Sequence, residues 1–116
     1  MKSSDVKNFI IYLSSSIHMA RIFQSRSKTL RIHSEKTHEI LNILFREYDE
    51  VELSLSDSHL FLNGERITVG MEIMGRYRSL IHDLRSLSVG SIVFRKMPPI
   101  DEIISFILFI CAQKYA

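Results

Sequence analysis

Five histidines are the first residues to test for chemistry, because imidazole both ligates metals and carries protons near neutral pH. His33 and His38 come near the spacing by which one helix offers two ligands. That spacing is three or four positions, however, and five turn the two rings about 140° apart around a helix axis. No cysteine or carboxylate cluster stands near them to complete a tetrahedral set. His82 is followed directly by Asp83, two metal-ligating types side by side, but a water-activating centre needs further ligands to hold its ion. The upstream histidine on offer, His59, falls on the edge of a predicted hairpin. Nucleophilic chemistry has no better anchor, since none of the many serines stands in a Gly-x-Ser-x-Gly elbow. Gly64, Gly70, Gly75 and Gly90 are too dispersed for a loop that cradles phosphate. These residues predict a protein that is not an enzyme and uses no metal and no cofactor. A metal-dependent hydrolase built on His82 and Asp83 is the least favoured alternative.

Charge offers a second kind of chemistry. The chain has 15 Lys and Arg against 13 Asp and Glu, a formal net charge of +2, and so small an excess does not make nucleic acid an expected partner. The positives are uneven. Arg21, Arg26, Lys28, Arg31 and Lys36 gather around the first helix-helix junction with only Glu35 among them, while Arg76, Arg78, Arg85, Arg95 and Lys96 form a looser second group. A charge run is ordinarily a solvated face. The functional alternative is a patch for an anion, a nucleotide or an acidic partner, with the first group carrying it.

These side chains are positioned by an alternation of periods. Val6, Ile10, Leu13, Ile17 and Ala20 recur at helical spacing behind Ser3, Ser4 or Asp5 as a cap, and Phe9, Tyr12, Met19 and Phe23 form a second row beside them. Residues 24–28 interrupt the pattern, and Leu30, His33, Thr37, Ile40, Leu41, Leu44 and Tyr48 resume it. A helical hairpin over residues 1–48 follows. The period then drops to two: Val51, Leu53 and Leu55 alternate with Glu52, Ser54 and Ser56 as a strand with one buried face requires. Ser56-Asp57-Ser58 turns the chain, a second strand covers residues 59–62, and Asn63-Gly64 makes a tight hairpin turn, because both of its central positions need positive φ. A short third strand covers residues 66–69. Gly70 ends the meander.

A third helix carries Met71, Met74, Tyr77, Leu80, Ile81 and Leu84, and Val89-Gly90 breaks it. Ile92-Val93-Phe94 then returns to the same sheet by a right-handed crossover. Pro98-Pro99, followed by Asp101 and Glu102, opens a last helix over about residues 99–113, since proline lacks a donor that the first turn does not use and acids favour the positive end of the dipole. The 116 residues, 46% hydrophobic and 24% charged, suit one α+β domain in the order ααβββαβα. A helical hairpin joins a βββαβα body at residues 49–116, with the helices packed on a small sheet.

The last helix carries apolar residues nearly all round, at Ile100, Ile103, Ile104, Phe106, Ile107, Leu108, Phe109 and Ile110. That is more than one sheet face absorbs. Either the N-terminal hairpin covers its outer side within the same chain, or a second copy does, making a homodimer through Ile103, Phe106, Ile107, Phe109 and Ile110. The lone Cys111 sits in the same run and has no disulfide partner. The longest apolar run, seven residues, is far short of the roughly 20 that cross a bilayer, and the N-terminus carries no secretory signal pattern. A cytoplasmic protein with no membrane contact is expected.

The phrases Leu60-Phe61-Leu62-Asn63-Gly64-Glu65-Arg66 and Val89-Gly90-Ser91-Ile92-Val93-Phe94, with the helix between them and the two helices ahead, resemble the N-terminal accessory region found ahead of the catalytic domain in bacterial HD and HD-GYP phosphohydrolase-type signalling proteins. Residues 51–110 carry the likeness. A His-Pro frequent in that family near the helical junction is replaced here by Ser27-Lys28. The resemblance implies a non-enzymatic regulatory or dimerisation module, associated in cis or in trans with an HD-type hydrolase domain. It carries no active-site residue to this chain. His82-Asp83 falls within the third helix of the accessory pattern, where that family keeps no catalytic pair.

Overall fold

The Asn63-Gly64 pair takes the backbone its chemistry favours, with φ of +49° at Asn63 and +84° at Gly64, both positive as a type I′ hairpin turn requires. Asn63 does more than turn the chain. Its Oδ1 accepts from the Glu52 N–H at 2.7 Å and its Nδ2 donates to the Glu50 carbonyl at 2.9 Å, so one side chain ties the turn to the neighbouring strand. The preceding turn uses the same geometry without glycine: Asp57 and Ser58 stand at φ of +49° and +66°, conformations that short polar side chains tolerate best.

The computed structural model describes residues 3–113. Two helices come first, α1 (Ser3–Phe23) and α2 (Lys28–Leu44), then the strands β1 (Val51–Ser56), β2 (His59–Leu62) and β3 (Glu65–Arg66). A 3-10 turn (Met71–Ile73) leads into α3 (Met74–Ser86), followed by β4 (Ser91–Phe94) and α4 (Ile100–Gln113). The ααβββαβα order expected from the sequence is the observed one. Ser3, Ser4 and Asp5 already lie inside α1, so its cap falls outside the described residues. Ser27 caps α2, its Oγ accepting from the Leu30 N–H at 3.0 Å, which satisfies one of the free donors at a helix start.

The strands form an antiparallel sheet in the order β3-β2-β1-β4. The fourth strand therefore returns to the sheet as expected, but antiparallel to β1 and at the edge opposite β3. The handedness rule for crossovers concerns parallel strands and does not govern it. The third strand is shorter than the pattern 66–69 predicts. Ile67 still donates to the Leu60 carbonyl at 2.8 Å, but opposite Thr68 and Val69 the partner strand has only His59 and the turn. The chain peels away there toward α3, and that departure creates the site described below.

The helix stop also differs in its agent. Ser88, at φ +57°, is the left-handed residue that ends α3, and the N–H groups of Ser88 and Val89 bond the carbonyls of Arg85 and Leu84 at 3.0 and 2.8 Å, the two bonds of a Schellman motif. Gly90 has no part in it.

Burial alternates along the sheet as the period of two dictates. Val51, Leu53, Leu60, Leu62, Ile92 and Phe94 face the helices and are buried, whereas Glu52, Ser54, Phe61 and Val93 on the other face stay partly exposed. Helix α1 lies at the centre of the helical layer, in contact with α2, α3 and α4, and Phe9, Ile10, Ile17 and Ala20 are fully enclosed. Each such large side chain contributes about 1.5–3 kcal/mol through area removed from water. Helix α4 meets both α1 and α2, so within one chain the hairpin covers the outer side of the last helix. Ile103, Ile104, Ile107, Ile110 and Cys111 are all buried there, and Phe106 packs its ring against Phe94 at 5.6 Å between centroids.

Candidate functional site

On α3, Arg78, His82 and Arg85 recur at i, i+4 and i+7, which places them on one stripe of the helix. The segment after β3, Ile67, Thr68 and Val69, runs past that stripe where it has left the sheet. Between the two lies a cleft of about 500 Å³, closed at the sheet edge by Ser58, His59 and Arg66 and lined on its inner wall by Met74, Tyr77 and Ile81. The volume falls in the range of small-molecule sites. Three guanidiniums and two imidazoles border it, and no Asp or Glu is among its lining residues.

The polar geometry sets this wall firmly. The Tyr77 hydroxyl accepts from the buried Leu60 N–H at 2.9 Å and donates to the Ile67 carbonyl at 3.5 Å, so one phenol joins α3 to both β2 and the departing segment. Arg66 Nη2 lies 2.6 Å from His59 Nε2. A guanidinium only donates, so in this contact His59 Nε2 is the acceptor. Arg85 bonds the Ser58 hydroxyl, a neutral partner. Arg78 has no hydrogen-bond or ion-pair partner among the described residues. Thus all three cationic side chains of the cleft lack a carboxylate.

The patch expected near residues 21–36 has the opposite character. Arg21 is paired with the buried Asp83 of α3. Arg31 reaches Asp101 at 3.0 Å and Glu35 at 3.4 Å, and Arg26 lies 3.8 Å from the same Asp101 while bonding Ser105. Lys36 sits over the Tyr12 ring at 5.6 Å, and Lys28 is exposed. Glu35 is a neighbour of Arg31 on the same helix, but the other acids come from α3 and α4, 62 and 70 positions from Arg21 and Arg31, where sequence proximity could not show them. The second basic group is also sorted by the fold: Arg76 turns to Ser15 on α1 at 3.4 Å and Arg95 to Glu50 at 3.8 Å, leaving Arg78 and Arg85 to the cleft, where Arg66 joins them.

His82 and Asp83 are divided by the helix that carries them. Adjacent positions differ by about 100° around the axis. His82 is exposed at the cleft, while Asp83 is buried on the α1 side against Arg21. One side chain thus serves the cleft and the other the contact with α1. Among the described residues no three His, Cys, Asp or Glu side chains come together.

The expected self-association surface is corrected in three of its five residues. Ile103, Ile107 and Ile110 are 0%, 1% and 6% exposed and belong to the core, because α1 and α2 already lie over them. Phe106 is half-buried, and Phe109 alone of the five is exposed, at 61%. No helix of the described residues is long and apolar enough to cross a membrane. Comparison of the chain with protein-family models, with curated proteins and with solved structures finds no match.

Proposed function

We propose that this chain is a non-enzymatic regulatory module that binds an anionic ligand in the cleft between α3 and the segment following β3. One observation carries the reading: Arg66, Arg78 and Arg85 converge on a cleft of about 500 Å³ with no carboxylate in its lining. Like charges held together in a concave, partly apolar site raise the local potential and concentrate anions. The paired arginines elsewhere on the molecule have their counter-charges built in, and these do not. The likeness of residues 51–110 to the accessory regions of HD and HD-GYP proteins agrees with a module that reports ligand occupancy to a tethered or separate bacterial catalytic domain in the cytoplasm.

Titration with pyrophosphate, followed calorimetrically at low salt, tests the reading. Saturable binding is expected, weakened about tenfold by Arg78→Ala and unchanged by Arg26→Ala, since removing one charge-assisted contact costs about 1.5 kcal/mol. Equal binding by both variants, or no saturable binding, overturns it.

A second reading, favoured by the exposure of Phe109, is that the module acts as a homodimer through the face of α4 that carries Phe109 and that the hairpin leaves open. Light scattering tests it: a dimer that Phe109→Ser converts to monomer is expected, and a strict monomer at high micromolar concentration overturns it.

A further inference from the structure

The cleft is larger than a bare inorganic anion fills, and part of its wall is apolar. Its charged side chains come from two sides. Arg78, His82 and Arg85 lie along α3, with Arg66 and His59 across the opening. Ile67, Val69, Met74 and Ile81 line the remainder, and of these Val69 and Met74 are only partly covered. A lone phosphate held by the guanidiniums would leave most of the volume as water against hydrocarbon. Burying an apolar body there gains free energy in proportion to the area it covers.

The charge of the head group follows from the same count. A monoanion neutralises one guanidinium and leaves two in a half-enclosed space, whereas a phosphate monoester near neutral pH carries a charge of about −1.5 to −2 and three acceptor oxygens. Guanidinium donors match phosphate oxygens in planar pairs. The hydroxyls of Ser58 and Thr68, also in the lining, add neutral donors. From the two halves together, and resting on the anion-binding reading above, we infer that the ligand is a phosphate monoester carrying an apolar or aromatic body, its phosphoryl group among Arg66, Arg78 and Arg85 and its body against Val69, Met74 and Ile81.

Phenyl phosphate is a direct probe, compared by calorimetry at pH 8 with inorganic phosphate, which has the charge without the body, and benzenesulfonate, which has the body with a single charge. Phenyl phosphate is expected to bind about tenfold tighter than either, the gain over inorganic phosphate corresponding to the burial of about one ring face. Val69→Ser, at a partly exposed position, is expected to erase the advantage over inorganic phosphate while leaving inorganic phosphate binding itself unchanged. Arg78→Ala weakens both phosphates. If phenyl phosphate binds no tighter than inorganic phosphate, or benzenesulfonate binds as tightly, the inferred ligand class is wrong and the anion site stands. If none of the three binds to the folded protein, both fall.

Discussion

Tyr77 shows how much of the site depends on single atoms. Its hydroxyl is the partner of the buried Leu60 N–H, and without it that donor loses its partner within the protein. Tyr77→Phe is therefore expected to cost about 1–3 kcal/mol, the penalty of an unsatisfied buried group, read as a fall in the urea midpoint with an unchanged slope. Ligand affinity should fall with it, because the same hydroxyl bonds the Ile67 carbonyl of the cleft wall. None of this was legible in the sequence, where Tyr77 is one more apolar position at helical spacing. The pairing is set by where the chain leaves β3. Asn63, by contrast, could be read directly, since the demand for positive φ is local. Cys111 lies between these cases. Its apolar neighbours forecast burial, and burial does push the thiol above its ordinary value, with Arg21 opposing and Asp83 adding to the shift. A thiol whose folded value is raised stabilises the fold fully below the unfolded value and loses that contribution as pH rises through the folded one. Stability should thus decline as pH rises past the ordinary thiol value. Cys111→Ala should flatten that decline in urea melts, and the native thiol should resist Ellman's reagent at pH 7.5.

At the scale of elements, the alternation of β1 and the helical rows of α1, α2 and α3 were readable because one buried face imposes one period on the sequence. The ends were less so. The pattern Arg66-Ile67-Thr68-Val69 has strand character throughout, yet only Glu65–Arg66 pairs as β3, since strand length depends on the partner and β2 starts at His59. The stop of α3 misled for a different reason. Gly90 is the residue that tolerates a left-handed backbone most readily, but Ser88 occupies that conformation at φ +57°. Ser88→Gly removes the steric cost a side chain bears there and is expected to stabilise the protein by about 1 kcal/mol, seen as a rise of several degrees in Tm. An unchanged or lower Tm would mean that the Ser88 side chain supports the turn in a way its backbone bonds do not reveal. The same logic explains the cleft. Arg78, His82 and Arg85 share a stripe that helical spacing alone reveals, but the absence of facing acids is a property of the neighbouring elements, and so grouping basic residues by closeness in sequence selected a cluster whose three arginines the fold pairs with acids.

For the whole molecule, the decisive arrangement is how the hairpin joins the body. Apolar contacts along α1 supply most of that junction, and of the ion pairs that cross it the most buried joins Arg21 near the end of α1 to Asp83 of α3, whose side chain is only 8% exposed. Such a pair gains little over water while intact, because both ions are stripped of solvent, but removing one partner leaves the other charged and uncompensated. Asp83→Ala is expected to destabilise the protein by about 3 kcal/mol, the low end for buried pairs, because Arg21 is 30% exposed. The double variant Arg21→Met with Asp83→Leu should recover most of that loss, since it replaces both charges with hydrocarbon of similar size. Chemical denaturation of the three proteins separates the outcomes. Recovery identifies the pair as a device that fixes how the hairpin docks, whereas additive losses would assign it a stabilising role that hydrocarbon cannot replace. Asp83 and His82 are neighbours on one helix, so the same experiment checks the division of labour between its two faces. The Asp83 face fastens α3 to α1, and anion binding at the His82 face should persist at near wild-type affinity in the recovered double variant.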